Sequence, residues 1–209
     1  MENFKLFVRD LERKISKTLP GEQAQLKMAP ITRAHLMRQG VDMKNARKAA
    51  VLILLYPDQD IQTVLIQRQD YDGIHSNQIS FPGGQSESSD TSMQHTAIRE
   101  TFEEIGVPEE DVRVLGNLTE LYIPPSNFLV LPVIGFMDYK PIFKPDFTEV
   151  KKIITVSLDT LGAKETLQEK EIQTSYQSKI KVPCFMVDGH VIWGATAMMV
   201  SELMALVNS

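Results

Sequence analysis

One segment limits most strongly what this chain can fold into: residues 81–107, which read FPGGQSESSDTSMQHTAIRETFEEIGV. It opens with a turn sequence, Pro-Gly-Gly, and continues into a stretch with helical periodicity. On a helical wheel of about 100° per residue, Glu100, Glu103 and Glu104 fall within an arc of roughly 100°. The pattern therefore predicts a helix with three carboxylates on one face.

The opposite face of the same helix is apolar. It carries Ile98, Phe102 and Ile105, which we expect to be buried. We expect the acidic face to be directed away from the core. Asp90, Thr91 or Ser92 is predicted to cap the helix at its start.

The three carboxylates need a source of positive charge. Like charges at helical neighbour spacing repel by a few tenths of a kcal/mol per pair and raise one another's pKa. A hard divalent cation would offset this repulsion, because Mg²⁺ takes oxygen ligands and commonly binds carboxylates together with substrate phosphates. Arg99 lies one turn before Glu103 and is expected to pair with it and orient it.

An acidic cluster taken alone is more often a solvated helix face than a site. The glycines that precede this helix, Gly83 and Gly84, favour a site, because they allow the backbone to approach a metal or a phosphate oxygen closely. The residues themselves thus favour phosphoryl chemistry at an acidic metal site.

The composition excludes several other classes of function. There are 22 basic and 27 acidic residues, a formal net charge of -5, so we expect no nucleic-acid partner. The longest strongly apolar stretch, residues 49–56, is too short to span a bilayer, so we expect no membrane partner. The chain has a single cysteine, Cys184, which excludes an intrachain disulfide. Charged residues break up the apolar residues near the start of the sequence, unlike in a secretory signal. We therefore expect a cytoplasmic location.

Hydrophobic periodicity predicts a mixed α/β sheet packed between helices. Residues 4–15 are predicted to form an amphipathic helix, and residues 195–207 a closing helix. Between residues 20 and 45 the pattern indicates a connection with at most one helical turn, around residues 34–38, and we place a domain boundary near Lys44. The predicted strands are residues 49–55, 63–68, 112–122, 128–137, 153–156 and 181–187.

Together, the loop and helix resemble the Nudix box. That pattern runs Gly, five residues, Glu, seven residues, Arg-Glu, aliphatic, any, Glu-Glu, any, Gly, aliphatic. The matching residues are Gly84, Arg99, Glu100, Glu103, Glu104, Gly106 and Val107. Asp90 replaces the first Glu, one extra residue separates it from Arg99, and Thr101 replaces an aliphatic residue.

The longer spacing is similar to that of the coenzyme A diphosphatase branch of this superfamily. Its upstream motif is matched by Arg68, His75, Gln78 and residues 80–84. The branch also has similar short motifs at positions that correspond to residues 121–126, 149–150 and 193–197. Two positions differ: Gly73 stands where a basic residue is usual, and Asn77 replaces a usual Gly.

The resemblance implies an α/β fold, the Nudix α/β/α sandwich with a mixed β-sheet between helices. Residues 1–44 would form an N-terminal helical extension and residues 45–209 the Nudix hydrolase domain. The implied reaction is metal-dependent hydrolysis of the pyrophosphate of coenzyme A or an acyl derivative, giving 3',5'-ADP and a phosphopantetheine. A small-molecule nucleotide is then the expected partner.

The resemblance also assigns roles. Glu100 and Glu104 would bind Mg²⁺ or Mn²⁺, with the Gly84 carbonyl and Glu103 as further ligands. Glu103, oriented by Arg99, would also activate water. The expected substrate contacts are Arg68, His75 and Gln78.

Several alternatives stay open at this point. The substrate could be another nucleoside diphosphate compound, such as ADP-ribose or a dinucleotide, or the chain could bind a nucleotide without cleaving it. Glu149 could be a further ligand or base, or a capping or solvated residue. The sequence indicates neither which Glu is the base nor an oligomeric state.

Overall fold

A computed structural model of the chain describes residues 2–31, 33, 43–70, 77–173 and 179–209. The helices are α1 Glu2–Ile15, α2 Gly21–Gln25, α3 Met93–Ile105, α4 Leu158–Gly162 and α5 Gly194–Val207. The strands are β1 Arg47–Pro57, β2 Ile61–Arg68, β3 Ile79–Ser80, β4 Gly83–Gln85, β5 Arg113–Asn117, β6 Leu121–Ile123, β7 Phe128–Phe136, β8 Val150–Ser157, β9 Leu167–Ile172, β10 Ile180–Val187 and β11 His190–Trp193. Short 3₁₀ helices span Leu26–Met28, Glu109–Asp111, Pro124–Ser126 and Lys164–Thr166.

The main sheet is mixed and has β1 near its centre. Its strand order is β3-β2-β1-β7-β5, with β4 paired to β1, β6 to β7 and β8 to β2. β1 and β2 are antiparallel and joined by a tight connection. β1 and β7 are parallel, and all other pairings in this sheet are antiparallel. β9, β10 and β11 form a second, antiparallel sheet.

Strand β1 shows why the sheet lies between two helical layers. Ala49, Ile53 and Leu55 share a core with α1 and α5. The alternate residues from Ala50 to Tyr56 share a second core with α3. A strand buried on both faces needs an unbroken apolar run, which β1 has. The predicted α/β/α sandwich with a mixed sheet is confirmed.

The strand predictions were wrong in one region and incomplete elsewhere. Residues 112–122 do not form one strand, because β5 ends at Asn117 and β6 begins at Leu121. The register of β5 also shifts between Val114 and Gly116. Strands β3, β4, β9 and β11 were not predicted. β3 and β4 are only two and three residues long, which is too short to show an apolar pattern. β9 is almost entirely exposed, so its sequence does not alternate between apolar and polar residues.

Described residues before Lys44 pack into the same core as the sheet. α1 and α2 contact α5, and Phe4, Val8 and Leu11 are buried. The boundary at residue 44 stays a prediction, and the helical turn predicted at residues 34–38 lies outside the described residues. No helix in the described part of the chain is long and apolar enough to cross a membrane.

Candidate active site

Helix α3 begins and ends at residues with the expected chemistry. The Ser92 hydroxyl accepts a hydrogen bond from the His95 amide at 3.1 Å, so Ser92 is the cap among the three candidates. The helix ends at Gly106, whose φ of +70° is in the left-handed region that favours glycine. These two ends fix the position of the acidic residues between them.

The predicted faces of α3 need a correction. Phe102 was expected in the core and is 50% exposed, whereas Thr101 is buried. Glu104 was expected to face away from the core and is 2% exposed. α3 packs on β1 and β4, where the small side chains of Ala97 and Thr101 lie. The Thr101 hydroxyl donates to the Ala97 carbonyl at 2.6 Å, which satisfies its polar group on burial.

The Glu104 carboxylate is buried between a strand and an arginine. It accepts a hydrogen bond from the Gly83 amide at 2.8 Å, and its other oxygen lies 3.1 Å from Arg68 Nη1. Burial raises the pKa of Glu104 to about 8, although Arg68 and the Gly83 amide lower it. Glu100 and Glu149 raise this pKa further through their negative charge. Burial therefore outweighs the two contacts that favour the ionised form of Glu104.

Arg99 is the centre of an ion-pair network. Asp90 holds it in a two-point contact, with Nε 2.8 Å from Oδ1 and Nη2 3.1 Å from Oδ2. The guanidinium also lies 2.9 Å from a Glu103 oxygen, the pair that the spacing predicts, and 3.0 Å from a Glu100 oxygen. Arg99 holds the pKa of the buried Asp90 carboxyl well below its usual range. Asp90 thus fixes Arg99, and Arg99 orients two glutamates.

The glycines of β4 allow the strand to approach α3. A Cβ atom on Gly84 would lie 2.4 Å from a Glu100 carboxylate oxygen. Gly83 has a φ of +147°, and a Cβ there would lie 2.3 Å from the Ala50 carbonyl oxygen. Any larger residue would displace Glu100 or the strand itself.

The donors around α3 fit a hard divalent cation in their chemistry. Glu100, Glu103, Glu104 and Glu149 offer only carboxylate oxygens, the ligand type that Mg²⁺ and Mn²⁺ prefer. Burial raises the pKa of Glu100, as do Glu103 and Glu149, while Arg99 lowers it. Among the described residues, no three Asp, Glu, His or Cys side chains converge as ligands of one ion. In this structure the Glu104 carboxylate is paired with Arg68, and those of Glu100 and Glu103 are paired with Arg99.

A cavity of about 720 Å³ lies beside β4. Arg68 and Gln78, two of the expected substrate contacts, line it together with Gly83 and Gly84. The third expected contact, His75, lies outside the described residues, as does Gly73. Arg68 therefore borders both the cavity and the carboxylate of Glu104.

Sequence reasoning missed two further residues of this cavity, Arg33 and Ser126. Arg33 belongs to the weakly patterned connection before Lys44, where no signal distinguishes it. Ser126 was noted only within a motif. Glu149, which sequence reasoning left open, acts on both Glu100 and Glu104 through its charge.

The chain is similar to known proteins over most of its length. A NUDIX domain model matches residues 46–175. A protein of Pectobacterium atrosepticum called Uncharacterized Nudix hydrolase NudL is 34% identical over 160 residues, which cover 75% of this chain and 81% of that protein. The NudL protein of Photorhabdus laumondii subsp. laumondii is 30% identical over 159 residues, covering 76% and 84%. A crystal structure of a MutT/nudix family protein from Enterococcus faecalis is 17% identical, with a TM-score of 0.45, and covers 86% of this chain and 68% of its own.

Proposed function

Since this chain belongs to the Nudix hydrolase family, which acts on phosphoric anhydride bonds, we propose that it hydrolyses the pyrophosphate of coenzyme A or acyl-CoA. The products would be 3',5'-ADP and a phosphopantetheine. The observation that carries the reaction type is the network in which Arg99 contacts Glu100 and Glu103 beside the buried Glu104. A solvated helix face would not bury a carboxylate to 2% exposure.

In this proposal, Glu100 and Glu104 would hold Mg²⁺ or Mn²⁺, with the Gly84 carbonyl and Glu103 as further ligands. A metal bound by these residues would supply positive charge that offsets the charge of the phosphates. Glu103, oriented by Arg99, accepts a proton from the attacking water. The water oxygen then bonds to one phosphorus of the pyrophosphate, and the bond from that phosphorus to the bridging oxygen breaks.

The proposal of coenzyme A rests on two supports. The first is the similarity of the Arg68, His75 and Gln78 motif to the coenzyme A diphosphatase branch. The second is the cavity, where Arg68 and Gln78 share walls with apolar residues such as Phe128 and Trp193. Apolar walls with a few polar groups suit a pantetheine arm. We also propose a cytoplasmic location, which the single cysteine supports.

The first test combines a substrate panel with one variant. We expect release of 3',5'-ADP from coenzyme A with Mg²⁺ or Mn²⁺, and slower cleavage of ADP-ribose, NADH and dinucleoside polyphosphates. Glu104→Gln should lower turnover by at least about 100-fold, because it removes charge that stabilises the transition state. Glu110→Gln, an exposed change of the same charge, should retain normal turnover.

Two outcomes would contradict the proposal at different levels. Normal turnover of Glu104→Gln at saturating Mg²⁺ would exclude Glu104 as a metal ligand. Rapid cleavage of ADP-ribose with no cleavage of coenzyme A would overturn the assignment of coenzyme A as the substrate but would agree with the proposed reaction type.

A further inference from the structure

The cavity beside β4 joins the surroundings of the carboxylates to the core of the protein. Gly83 and Gly84, which pack against the acidic face of α3, line it. Phe81, Val130 and Met199 also line it, and they belong to the buried core that includes α5. A lining of this kind favours a ligand that is mostly hydrocarbon along its length.

The charged side chains of the described lining are two arginines, and both have partners within the chain. Arg68 Nη1 lies 3.1 Å from a Glu104 oxygen. The Arg33 guanidinium donates a hydrogen bond to the Tyr122 carbonyl and has a further interaction within the chain. The described lining contains no lysine, aspartate or glutamate. The cavity therefore favours a ligand without charge.

Two serine hydroxyls of the lining are buried without a partner. Neither Ser80 Oγ nor Ser126 Oγ has a hydrogen-bond partner among the described residues, and Ser126 is only 9% exposed. Buried polar atoms in native proteins are nearly always hydrogen-bonded, so an unpaired one calls for an explanation. Two of them in one cavity indicate a ligand that carries hydrogen-bonding groups.

The backbone holds both serines in place. Ser80 lies in β3, and the carbonyl of the residue before it accepts a hydrogen bond from the Thr196 hydroxyl at 2.8 Å. The Ser126 carbonyl accepts one from Arg47 Nη2 at 2.9 Å. In the strand order, β2 and β1 separate β3 from β7, the strand that follows Ser126. The two hydroxyls therefore lie at separate points of the cavity wall.

Neutral amides match these hydroxyls better than phosphates do. A hydroxyl both donates and accepts hydrogen bonds, and an amide offers a donor and an acceptor in return. A phosphate group only accepts, and it needs positive charge that the two arginines already share with other groups. The pantetheine arm of coenzyme A is an uncharged chain with two amides along its length, so it has both the apolar and the polar features that this lining requires.

We propose that the cavity holds the pantetheine arm of the substrate and that the Ser80 and Ser126 hydroxyls form hydrogen bonds with its amides. The proposal deepens the proposed function and rests on it for the identity of the ligand. Ser80 and Ser126 are then specificity residues, which distinguish coenzyme A from nucleotides that lack an amide-bearing arm, such as ADP-ribose.

The test measures binding without metal or hydrolysis, by NMR titration in EDTA, with pantetheine and adenosine as separate probes. We expect saturable binding of pantetheine to the native protein. Ser80→Ala and Ser126→Ala should each weaken it about 5-fold, and the double variant about 20-fold, because well-separated contacts add. Adenosine binding should stay unchanged. Ser89→Ala, which removes an exposed hydroxyl outside the cavity lining, is the matched control and should bind pantetheine normally.

Melting curves of the same variants distinguish binding from a structural role. Removing a hydroxyl that has no partner costs no hydrogen bond, so we expect neither alanine variant to lower Tm in the absence of ligand. A clear fall in Tm would show that the hydroxyl has a partner within the protein and would overturn the proposal.

Three binding results would also overturn it: no pantetheine binding by the native protein, native affinity in the double variant, or weakened binding of adenosine instead of pantetheine. Coenzyme A cleavage is measured separately. Cleavage with unchanged pantetheine binding in the double variant would contradict this inference alone, whereas serine-dependent pantetheine binding without cleavage would contradict the proposed reaction.

Discussion

At the scale of single residues, three glutamates with the same helical direction have three different environments. Glu104 is 2% exposed, the side chain of Glu100 is 15% exposed, and that of Glu103 is 55% exposed. The difference arises because β4 approaches α3 at Gly83 and Gly84 and covers one carboxylate more than the others. Burial therefore separates groups that a helical wheel places together.

The raised pKa of Glu104 predicts how stability depends on pH in the absence of metal. The pKa is about 8 in the folded state against an ordinary value of 4.5, so the folded state binds the proton more tightly. The stabilising contribution of this proton is complete below about pH 4.5 and is lost as the pH rises through about 8. Glu104→Gln resembles the protonated form, so its melting temperature should equal that of the native protein near pH 5 and exceed it near pH 9.

Melting curves in EDTA from pH 5 to 9 would measure this difference. Glu103→Gln is the control, since its exposed side chain should leave the profile close to native. Parallel pH profiles for the native protein and Glu104→Gln would show that Glu104 does not carry the effect.

The local part of the site could be predicted and the long-range part could not. The pair Arg99–Glu103 follows from helical spacing, and the Ser92 cap from residue type. The contact between Arg68 and Glu104 joins residues 36 positions apart. Such a contact depends on which strand of the sheet passes beside α3, and helical periodicity contains no information about that. The position of Arg33 in the cavity lining likewise depends on contacts between distant parts of the chain, so the sequence pattern does not indicate it.

At the scale of elements, α5 shows how one polar group joins segments that the sequence separates. Its apolar spacing was predicted, but Glu202 lies within it and is fully buried. The Glu202 carboxylate accepts hydrogen bonds from the Gly21 amide, the Gln25 side chain, and the amide and hydroxyl of Thr119. It thereby ties the start of α2 and the loop between β5 and β6 to α5.

Replacing Glu202 should weaken this junction. Glu202→Ala leaves four donors without their acceptor, so we expect the free energy of unfolding to fall by about 2–4 kcal/mol. Glu202→Gln, which keeps one acceptor oxygen, should lose less. Urea denaturation would measure both, with the exposed Glu12→Ala of α1 as a control that changes stability by less than about 0.5 kcal/mol. Equal stability of Glu202→Ala and native protein would mean that the hydrogen bonds contribute nothing net.

At the scale of the whole molecule, an acidic protein that acts on a polyanion needs a cation from outside the chain. Arg68 and Arg99 supply part of the charge at α3, and the proposed metal supplies the rest. Ligands that bind only the folded state stabilise it, by about 2.7 kcal/mol at 100 times Kd. For a chain of this size that corresponds to roughly 5–10 °C in Tm.

Mg²⁺ or Mn²⁺ should therefore raise Tm, and the double variant Glu100→Gln, Glu104→Gln should abolish the rise. The double variant Glu109→Gln, Glu110→Gln changes the net charge equally and should keep it. Differential scanning calorimetry with and without metal would measure the shift. A full shift in the first double variant would place the ion elsewhere.

The parallel pairing of β1 with β7 also determines when the protein can fold. Residues 47–55 of β1 each pair with a residue 81 positions later, from Arg47 with Phe128 to Leu55 with Phe136. During synthesis, the apolar β1 leaves the ribosome long before its partner exists, and one edge stays open to other chains. The entropy cost of closing so long a loop must be met before the β1–β7 contacts form, so we expect folding to be slow. Strand β7 cannot join β1 until about two-thirds of the chain has been made.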